Sequence, residues 1–537
     1  MKPLNKNSLI FLLPILSGLL LFLAYPPQKL GFLVLIALIP LFYFLNREST
    51  SQKKAFWGGL ITGFIFLGGL FVWLLKTAPF DWLGVTSGKS YTLVLILLII
   101  LWIIQIFFLS LFFALFSWIY KKTVNLRLTV FASLIVVPSL WIIVEYLRTW
   151  GFSVLWLGKE TLFGSHWTFG NLAYVLHNNI VSIQIADIGG IYLISFVIVL
   201  INVILFTIFK AFKKQNKSQI IALIIILILI IFLWRGYGIY KINSEEKGEL
   251  RKVALLQTNF LSSSAANPYQ KEEIFKAVLS LFQTKDVVQE NPDFIIAPEG
   301  FGLVSLTKSK EITKYLINDF WKPGQIFLEN EKVVDENGKN KSRLFYYDLE
   351  KEKPIAFQDK MLLVPNGDYL PYLTKFILGI YSFNVRFEEK LFQKGEKNDI
   401  AQTPKANIGS GICSSILSPA LNRKLTQKGA QVLVIVSSDA PFHGSKSLLS
   451  QNLAMSQLRA VENRRYFVQA TNAGYSFLLD SKGQIIVKSS EFGNKILFSS
   501  VRLNDKKTFY TKSGDWPILL GFLILLISTV IHRTRKS

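Results

Sequence analysis

Eight stretches of this 537-residue chain are apolar over about 17 residues or more and contain few charged side chains. An α-helix needs about that length to cross the hydrocarbon core of a bilayer. The apolar residues, 51% of the sequence, are concentrated in blocks rather than spread evenly. We therefore predict a membrane α-helical bundle of about eight spans that carries one soluble domain. The blocks cover roughly residues 8–25, 30–46, 55–75, 91–120, 129–147, 190–209, 219–235 and 516–531.

The basic residues between these blocks are distributed unevenly, and the asymmetry predicts an orientation. Alternate loops carry 15 basic residues, whereas the loops between them carry 5. Because basic residues are retained in the cytoplasm, we expect both termini there and residues 236–515 on the opposite, outer face of the membrane. The richer loops contain Lys2, Lys6, Arg47, Lys53, Lys54, Lys121, Lys122, Arg127, Lys210, Lys213, Lys214, Lys217, Arg533, Arg535 and Lys536, and the poorer loops contain Lys29, Lys76, Lys89, Arg148 and Lys159.

The formal net charge of +24 is explained largely by this topology. The predicted cytoplasmic loops contain a single acid, Glu48, beside their 15 basic residues. Without them no basic stripe interleaved with aromatic residues remains, so we predict no nucleic-acid partner.

After residue 235 the hydrophobic runs shorten to strand length and alternate with charged helical stretches, a pattern typical of an α/β domain. We therefore divide the chain into a seven-span bundle at 1–235, a soluble domain at 236–515, and an eighth span with a cytoplasmic tail at 516–537. The predicted strands include 253–257, 294–298, 325–328, 344–348, 361–364, 432–436, 475–479 and 484–487, the predicted helices 271–283 and 450–462, and the predicted loops 261–266 and 335–342.

Cys413 is the only cysteine of the chain, so it forms no intramolecular disulfide. A lone cysteine is more often a small apolar core residue than a nucleophile. Two upstream residues favour the second role, because a thiol that attacks a carbonyl needs a base and a cation nearby. Glu299 follows an apolar run and is expected at the carboxyl end of a strand, where α/β sheets bind ligands. Lys360 precedes the apolar residues 361–364 and is expected at the start of a strand.

Each of these residues also has an ordinary structural interpretation. Glu299 could cap the following helix, and Lys360 could be a solvated surface lysine. Together the three would support acyl transfer: Glu299 would deprotonate the thiol, Cys413 would attack an ester carbonyl, and Lys360 would stabilise the thiolate and the oxyanion. This chemistry requires no cofactor and no metal.

The order and context of these residues resemble the Glu-Lys-Cys triad of the nitrilase superfamily. A closer resemblance is to the apolipoprotein N-acyltransferase family, and it extends over nearly the whole chain. The similar segments are Lys360–Pro371, Ser438–Gly444, Met455–Glu462 and Ala470–Gly474 in the soluble domain, and Leu23–Pro27, Arg148–Phe152 and Ala186–Gly190 among the spans.

The resemblance implies an αββα, nitrilase-like sandwich and a particular reaction. A phospholipid would donate a fatty acyl group to Cys413, and the thioester would pass it to the α-amino group of a diacylglyceryl-cysteine apolipoprotein. Glu299 would be the base, Lys360 the oxyanion-stabilising cation and Asp368 a supporting carboxylate. We expect a monomer that meets both lipid substrates in the membrane.

The chain also departs from the family pattern around the predicted site. Ser414 and Ser415 follow the cysteine where the family often has an aromatic residue and Glu. Asp368 stands where Glu is usual, and Asn366 stands where an aromatic residue is usual. The family also usually has Trp near the position of Pro441. These departures bear on substrate choice. A side chain as short as Asp368 is expected to reach its partner only if the backbone or a water closes the gap.

Other functions remain open from the sequence. A membrane-tethered amidase could use the same triad with water as second substrate, although a soluble amide needs no lipid access. The chain could also be a transporter or a non-catalytic membrane scaffold. A transporter should show charged or broken helices along its path, and the spans contain only Glu145 and Asp187 as unusual acids. We expect Glu145 to pair with Arg148 and Asp187 to lie at a helix start.

Overall fold

The apolar blocks form helices, and the segment between the last two blocks forms two β-sheets. A computed structural model describes residues 11–78, 80, 88–125, 129–260, 276–277, 279–281, 290–303, 322–348, 351, 353–380, 391–489 and 493–534. The predicted loop 261–266 and most of the predicted helix 271–283 lie outside these residues.

The described residues of the N-terminal region form eight α-helices, with short 3₁₀ turns between some of them. Five helical segments are long and apolar enough to cross a membrane, and three shorter apolar ones coincide with the remaining predicted blocks. The count of eight spans and their orientation stay predictions. The helices are α1 (Leu12–Ala24), α2 (Ile39–Asn46), α3 (Gln52–Leu70), α4 (Gly88–Asn125), α5 (Val130–Leu155), α6 (Ile180–Ile183), α7 (Ala186–Lys213) and α8 (Lys217–Asn243), with 3₁₀ turns at Gly31–Leu35, Val72–Thr77 and Leu172–Leu176.

The soluble domain contains two six-stranded sheets, which confirms the predicted α/β fold class. The first sheet has the order β12-β1-β2-β3-β4-β5 and the second β11-β10-β9-β8-β7-β6. The strands are β1 (Leu250–Gln257), β2 (Phe294–Ile296), β3 (Ile326–Val334), β4 (Asn340–Asp348), β5 (Ala356–Asp359), β6 (Ile400–Gln402), β7 (Asn407–Ile412), β8 (Val432–Ser438), β9 (Phe467–Asn472), β10 (Phe477–Leu479), β11 (Ile485–Lys488) and β12 (Lys495–Arg502). The helices are α9 (Tyr372–Ile380), α10 (Pro419–Gln427), α11 (Lys446–Asn463) and α12 (Phe509–Ser513), followed by α13 (Trp516–Thr534).

The two sheets pack face to face because their strands alternate apolar residues between their two faces. On β2, Phe294 and Ile296 enter the core between the sheets, while Ile295 lies in a second cluster on the outer face. On β8, Val434 enters the inter-sheet core, whereas Leu433 and Ile435 pack with residues of α11. The central parallel strands β2, β3, β7, β8 and β9 therefore place their carboxyl ends in the same part of the sandwich.

The second sheet connects to the helical bundle through α11. Its apolar cluster is continuous with that of the bundle. At the end of α11, Arg464 donates to Asp187 Oδ2 from Nη2 at 2.8 Å and from Nε at 3.1 Å. Asp187 also accepts from the Tyr237 hydroxyl at 2.7 Å and pairs with Lys241 at 3.2 Å. Asp187 lies in the first turn of α7, as predicted, and it joins the two regions of the protein.

Glu145 and Arg148 do not form the predicted direct ion pair. Each side chain binds the backbone of the loop before α6, and the two residues interact only through their charges. Glu145 Oε1 accepts from Leu172 N at 2.9 Å, and Arg148 Nη1 donates to Phe169 O at 2.5 Å. Both residues lie in α5 and are buried. Intramembrane charged groups here satisfy irregular backbone, which otherwise would lack hydrogen-bond partners in an apolar medium.

Two predictions about local structure also need correction. Residues 361–364 form no strand: Met361 and Leu362 are buried in the cluster that includes the bundle, and the strand β5 ends just before Lys360. The predicted loop 335–342 is shorter, because β4 already begins at Asn340 and pairs with β3. In contrast, the predicted hairpin at Asp480–Gly483 is present, with Gly483 N donating to Asp480 O at 3.1 Å.

Candidate active site

Glu299, Lys360 and Cys413 each follow a strand, and the facing of the two sheets brings them together. Glu299 lies three residues after β2, Lys360 directly after β5 and Cys413 directly after β7. Two backbone contacts hold Glu299 across the sandwich. Its N–H donates to Ser437 O at 3.3 Å, and its Oε2 accepts from Ser438 N at 3.1 Å. A carboxylate of the first sheet is thereby fixed against β8 of the second.

The Lys360 ammonium lies between two carboxylates. Its Nζ is 3.0 Å from Glu299 Oε1 and 2.9 Å from Asp368 Oδ2, and only 3% of its side chain is exposed. Burial disfavours the charged lysine, but the charges of Asp368 and Glu299 outweigh burial and hold the pKa of Lys360 well above its ordinary value. Lys360 is therefore a permanent cation, and it lies at the end of a strand rather than at the start of one.

Asp368 reaches Lys360 directly because the loop after Lys360 folds back on itself. Asp368 Oδ2 accepts from Val364 N, and Asp368 N donates to Val364 O, both at 2.8 Å. Asn366 adopts a left-handed φ of 64° within this turn. The backbone thus closes the gap left by the shorter carboxylate. Tyr369, next in the chain, donates from its hydroxyl to Trp156 O of the bundle at 2.7 Å.

Cys413 has a strained backbone and a thiol that is protonated at rest. Its φ is 47°, in the left-handed region that non-glycine residues seldom adopt outside functional sites. Burial, and then the charge of Glu299, raises the pKa of Cys413 well above its ordinary value, whereas Lys360 acts in the opposite direction. A single cation shared by two carboxylates does not stabilise a resting thiolate. The thiol therefore needs a base to become a nucleophile.

This raised pKa predicts slow alkylation at neutral pH. We expect iodoacetamide to modify Cys413 at least about tenfold more slowly at pH 7.5 than a free peptide cysteine, because the thiolate is the reacting species. The rate should rise with pH beyond 9. Since the chain has one cysteine, intact mass reports a single site. The same protein unfolded in detergent is the control, and a rate independent of pH would contradict the prediction.

A cavity of about 60 Å³ borders Cys413 and is lined by both regions of the protein. Trp73, Trp167 and Phe169 come from the helical bundle, and Phe442 and Leu448 from the soluble domain. The Trp73 and Phe442 rings meet edge to face with centroids 5.4 Å apart. The volume admits about four to six water-sized groups. The thiol therefore faces a small, mainly apolar space at the junction of the two regions.

Several polar residues of this cavity were not among the predicted site residues, and two of them are Asp439 and Gln469. Asp439 follows β8, and Gln469 lies on β9, and both are buried. Burial, followed by the charge of Glu299, raises the pKa of Asp439 to about 7. The segment containing Asp439 carried the family resemblance, but only the fold brings it beside Cys413. In the described part of the chain, no group of three or more His, Cys, Asp and Glu is arranged to hold a metal.

Comparisons with known proteins match two family models to different parts of the chain. Residues 17–204 match the model of the apolipoprotein N-acyltransferase N-terminal domain, and residues 252–509 match that of carbon-nitrogen hydrolases. Apolipoprotein N-acyltransferase of Geobacter metallireducens is 27% identical over 96% of this chain and 94% of its own length. That of Gloeobacter violaceus is 24% identical over 96% and 93%. Among solved structures, Saccharomyces cerevisiae Nit3, a nitrilase-superfamily member, is 18% identical over 48% of this chain and 93% of its own, with a TM-score of 0.35.

Two facing sheets matched by the carbon-nitrogen hydrolase model, joined to long apolar helices, define a membrane-embedded enzyme of the carbon-nitrogen hydrolase superfamily. Within that class, the paired domain matches and the full-length relatives are decisive. The chain belongs to the apolipoprotein N-acyltransferase family.

Proposed function

We propose that this protein transfers a fatty acyl group from a phospholipid to the N-terminal amine of a diacylglyceryl-cysteine apolipoprotein. Cys413 would carry the acyl group as a thioester between two half-reactions. Glu299 would act as the base, Lys360 as the oxyanion-stabilising cation and Asp368 as the carboxylate that supports Lys360. The site would face the periplasm from a bacterial inner membrane, in keeping with the loop charges.

The observation that carries this proposal is the composition of the cavity beside Cys413. Aromatic side chains of the helical bundle and apolar side chains of the soluble domain share its wall. A soluble amide substrate would not need an apolar wall supplied by membrane helices. A lipid ester does, because its acyl chain must stay in an apolar environment while its carbonyl reaches the thiol.

In the first half-reaction, Glu299 takes the proton from Cys413 Sγ, and the sulfur forms a bond to the ester carbonyl carbon. The negative charge that develops on the carbonyl oxygen is stabilised by the Lys360 ammonium, which is already held in place by two carboxylates. The carbon–oxygen ester bond then breaks. Glu299 returns its proton to the departing alkoxide, so the products are a lysophospholipid and an acyl-enzyme.

In the second half-reaction, the amine of the acceptor is the attacking group. Its nitrogen attacks the thioester carbonyl, the carbon–sulfur bond breaks, and the thiol regains a proton as the amide leaves. The same oxyanion forms again beside Lys360, so one set of residues serves both steps. Ping-pong kinetics are the expected consequence.

The first experiment is an intact-protein mass spectrum after incubation with a phospholipid that carries a labelled acyl chain, without an acceptor. We expect one acyl group per chain, removed by hydroxylamine and located by peptide mapping on residue 413. The single cysteine makes this assignment unambiguous. No adduct from several phospholipids, with a folded protein, would overturn the lipid-donor proposal. An adduct that decays in water as fast as with an amine acceptor would instead indicate a hydrolase, which uses water as its second substrate.

A further inference from the structure

Two buried hydrogen-bond acceptors beside Cys413 lack a donor in the described part of the chain. They are Asp439 Oδ2 and Gln469 Oε1, and both residues line the cavity that Cys413 borders. Asp439 is 3% exposed and Gln469 is 2% exposed. Buried polar atoms are nearly always paired, so two unpaired acceptors on one small cavity indicate a ligand that donates hydrogen bonds.

The orientation of the Gln469 amide follows from its neighbours. Its Nε2 donates to Thr471 Oγ1 at 3.0 Å and to Ser437 Oγ at 3.4 Å. The Thr471 hydroxyl already donates to Tyr475 O at 2.9 Å, so it is available to accept from the amide. The amide oxygen is therefore the atom left without a donor. The Asp439 carboxylate needs no such assignment of donor and acceptor atoms, because an ionised carboxylate only accepts hydrogen bonds.

The surroundings favour a cationic donor. Two titratable residues of the predicted triad, Glu299 and Cys413, interact electrostatically with the Asp439 carboxyl. Glu299 adds negative charge there. The Lys360 cation is already engaged by Glu299 and Asp368. Trp73 and Phe442 line the same cavity, and aromatic rings tolerate an ammonium group. An ammonium has three donors and no acceptor, which matches the two unpaired oxygens.

We propose that Asp439 and Gln469 bind a primary ammonium group beside Cys413. This inference rests on the proposed function, whose second substrate is an amine. The ammonium could come from the N-terminus of the acceptor or from an ethanolamine headgroup of the donor. The shared chemistry is the primary ammonium, and the two sources differ in the half-reaction that they affect.

For the acceptor, Asp439 would also prepare the nucleophile. An ammonium has no lone pair, so one proton must leave before the nitrogen can attack. The ionised Asp439 carboxylate takes that proton. The neutral amine forms the carbon–nitrogen bond, the carbon–sulfur bond breaks with its electron pair on Sγ, and Glu299 carries the second amine proton to the sulfur. The products are the amide, the Cys413 thiol and a protonated Asp439.

The raised pKa of Asp439, about 7, agrees with this role, because the carboxyl can both take up and release a proton near neutral pH. Transfer needs the ionised form of Asp439, so the rate of transfer should fall as the pH falls through about 7.

The test compares the two half-reactions in Asp439→Asn, which keeps the size of the side chain but cannot take up the proton. Acyl-enzyme formation is measured with phosphatidylethanolamine and with phosphatidylglycerol, and transfer is measured by adding a diacylglyceryl-cysteine peptide to preformed acyl-enzyme. We expect transfer to fall by about 100-fold or more, and the remaining rate to rise with pH through the amine's own pKa of about 8 instead of levelling off above about 7. Acyl-enzyme formation from phosphatidylglycerol, which has no ammonium group, should fall far less than transfer does.

The matched control is Asp399→Asn, which removes an exposed carboxylate paired with Lys428 at 3.0 Å. Gln469→Met is a second variant that removes the other unpaired acceptor at similar volume, in case Asp439→Asn does not fold. It should weaken transfer mainly through a higher KM. Slower acyl-enzyme formation from phosphatidylethanolamine alone would assign the ammonium to the donor headgroup.

Two results would overturn the ammonium site. In one, neither half-reaction changes by more than about threefold, as expected if the acceptors bind only water. In the other, formation from both donors and transfer fall equally, as expected of a structural role. Failure of the proposed function itself is distinguishable, because the wild-type protein would then form no acyl-enzyme.

Discussion

Replacing Cys413 with alanine is expected to abolish acyl-enzyme formation and to lower acyl transfer by at least about 10⁴-fold. The reason is that the chain has one thiol, and the hydroxyl of Ser414, which follows it, donates to Leu362 O and is a far weaker nucleophile than a thiolate. Alanine leaves the sheet intact, because it removes only the sulfur at the cavity wall. Transfer is measured with a labelled phospholipid and a diacylglyceryl-cysteine peptide, and folding by the thermal transition of the purified protein.

Ser410→Ala provides the control from the same strand. Ser410 is buried and hydrogen-bonded to the Tyr346 hydroxyl, away from the cavity lining. Losing that bond should cost about 1 kcal/mol of stability and leave transfer within about threefold of wild type. Substantial transfer by Cys413→Ala would show that acyl transfer proceeds without the thioester.

Replacing Lys360 with methionine is expected to lower transfer by about 10³-fold or more and to destabilise the fold by about 3 kcal/mol. The catalytic loss arises because the oxyanion loses its cation. The stability loss arises because Glu299 and Asp368 keep their mutual repulsion without the shared ammonium. This loss of stability lies at the lower end of the range for breaking a buried ion pair, because both carboxylates retain some contact with solvent.

The pH dependence of the free energy of unfolding separates the loss of stability from the loss of catalysis. The pKa of Lys360 is raised in the folded protein, so its stabilisation is complete below the ordinary lysine pKa and is lost only at strongly alkaline pH. In Lys360→Met, which lacks the ammonium, this loss of stability at alkaline pH should be absent. The control is Lys405→Met, which removes a partly exposed pair with Asp293 at 3.2 Å and should cost under about 1 kcal/mol. An equal loss of stability in both variants would contradict this account.

The sequence predicted the division into apolar helices and an α/β domain because both depend on local hydrophobic periodicity. It predicted the position of Glu299 after a strand for the same reason. It did not predict β7, the strand before Cys413, because Asn407–Ile412 contains two glycines and a serine and has no apolar run. It misplaced the strand beside Lys360, because residues 361–364 are apolar for a different cause. They pack against the helical bundle, and periodicity cannot tell that surface from the interior of a sheet.

Asp439 and Gln469 show what sequence patterns omit. Gln469 lies within an apolar strand and has no motif around it, and its amide matters only because β9 lies beside β8 in the folded sheet. Glu145 and Arg148 show the same limit in the bundle. Their spacing of one helical turn favoured a pair, but the nearby loop offered backbone partners that no local pattern reveals.

The contacts of Tyr369 with Trp156 and of Arg464 with Asp187 fix the soluble domain to the bundle at two separate points. The thiol of Cys413 therefore keeps one position relative to the helical bundle. If the bundle spans a bilayer as predicted, a nucleophile held in this way would meet only those bonds that lie at its own depth. Acceptors that share a lipidated terminus could then differ freely in the rest of their polypeptide, because depth and not sequence would determine which amine arrives.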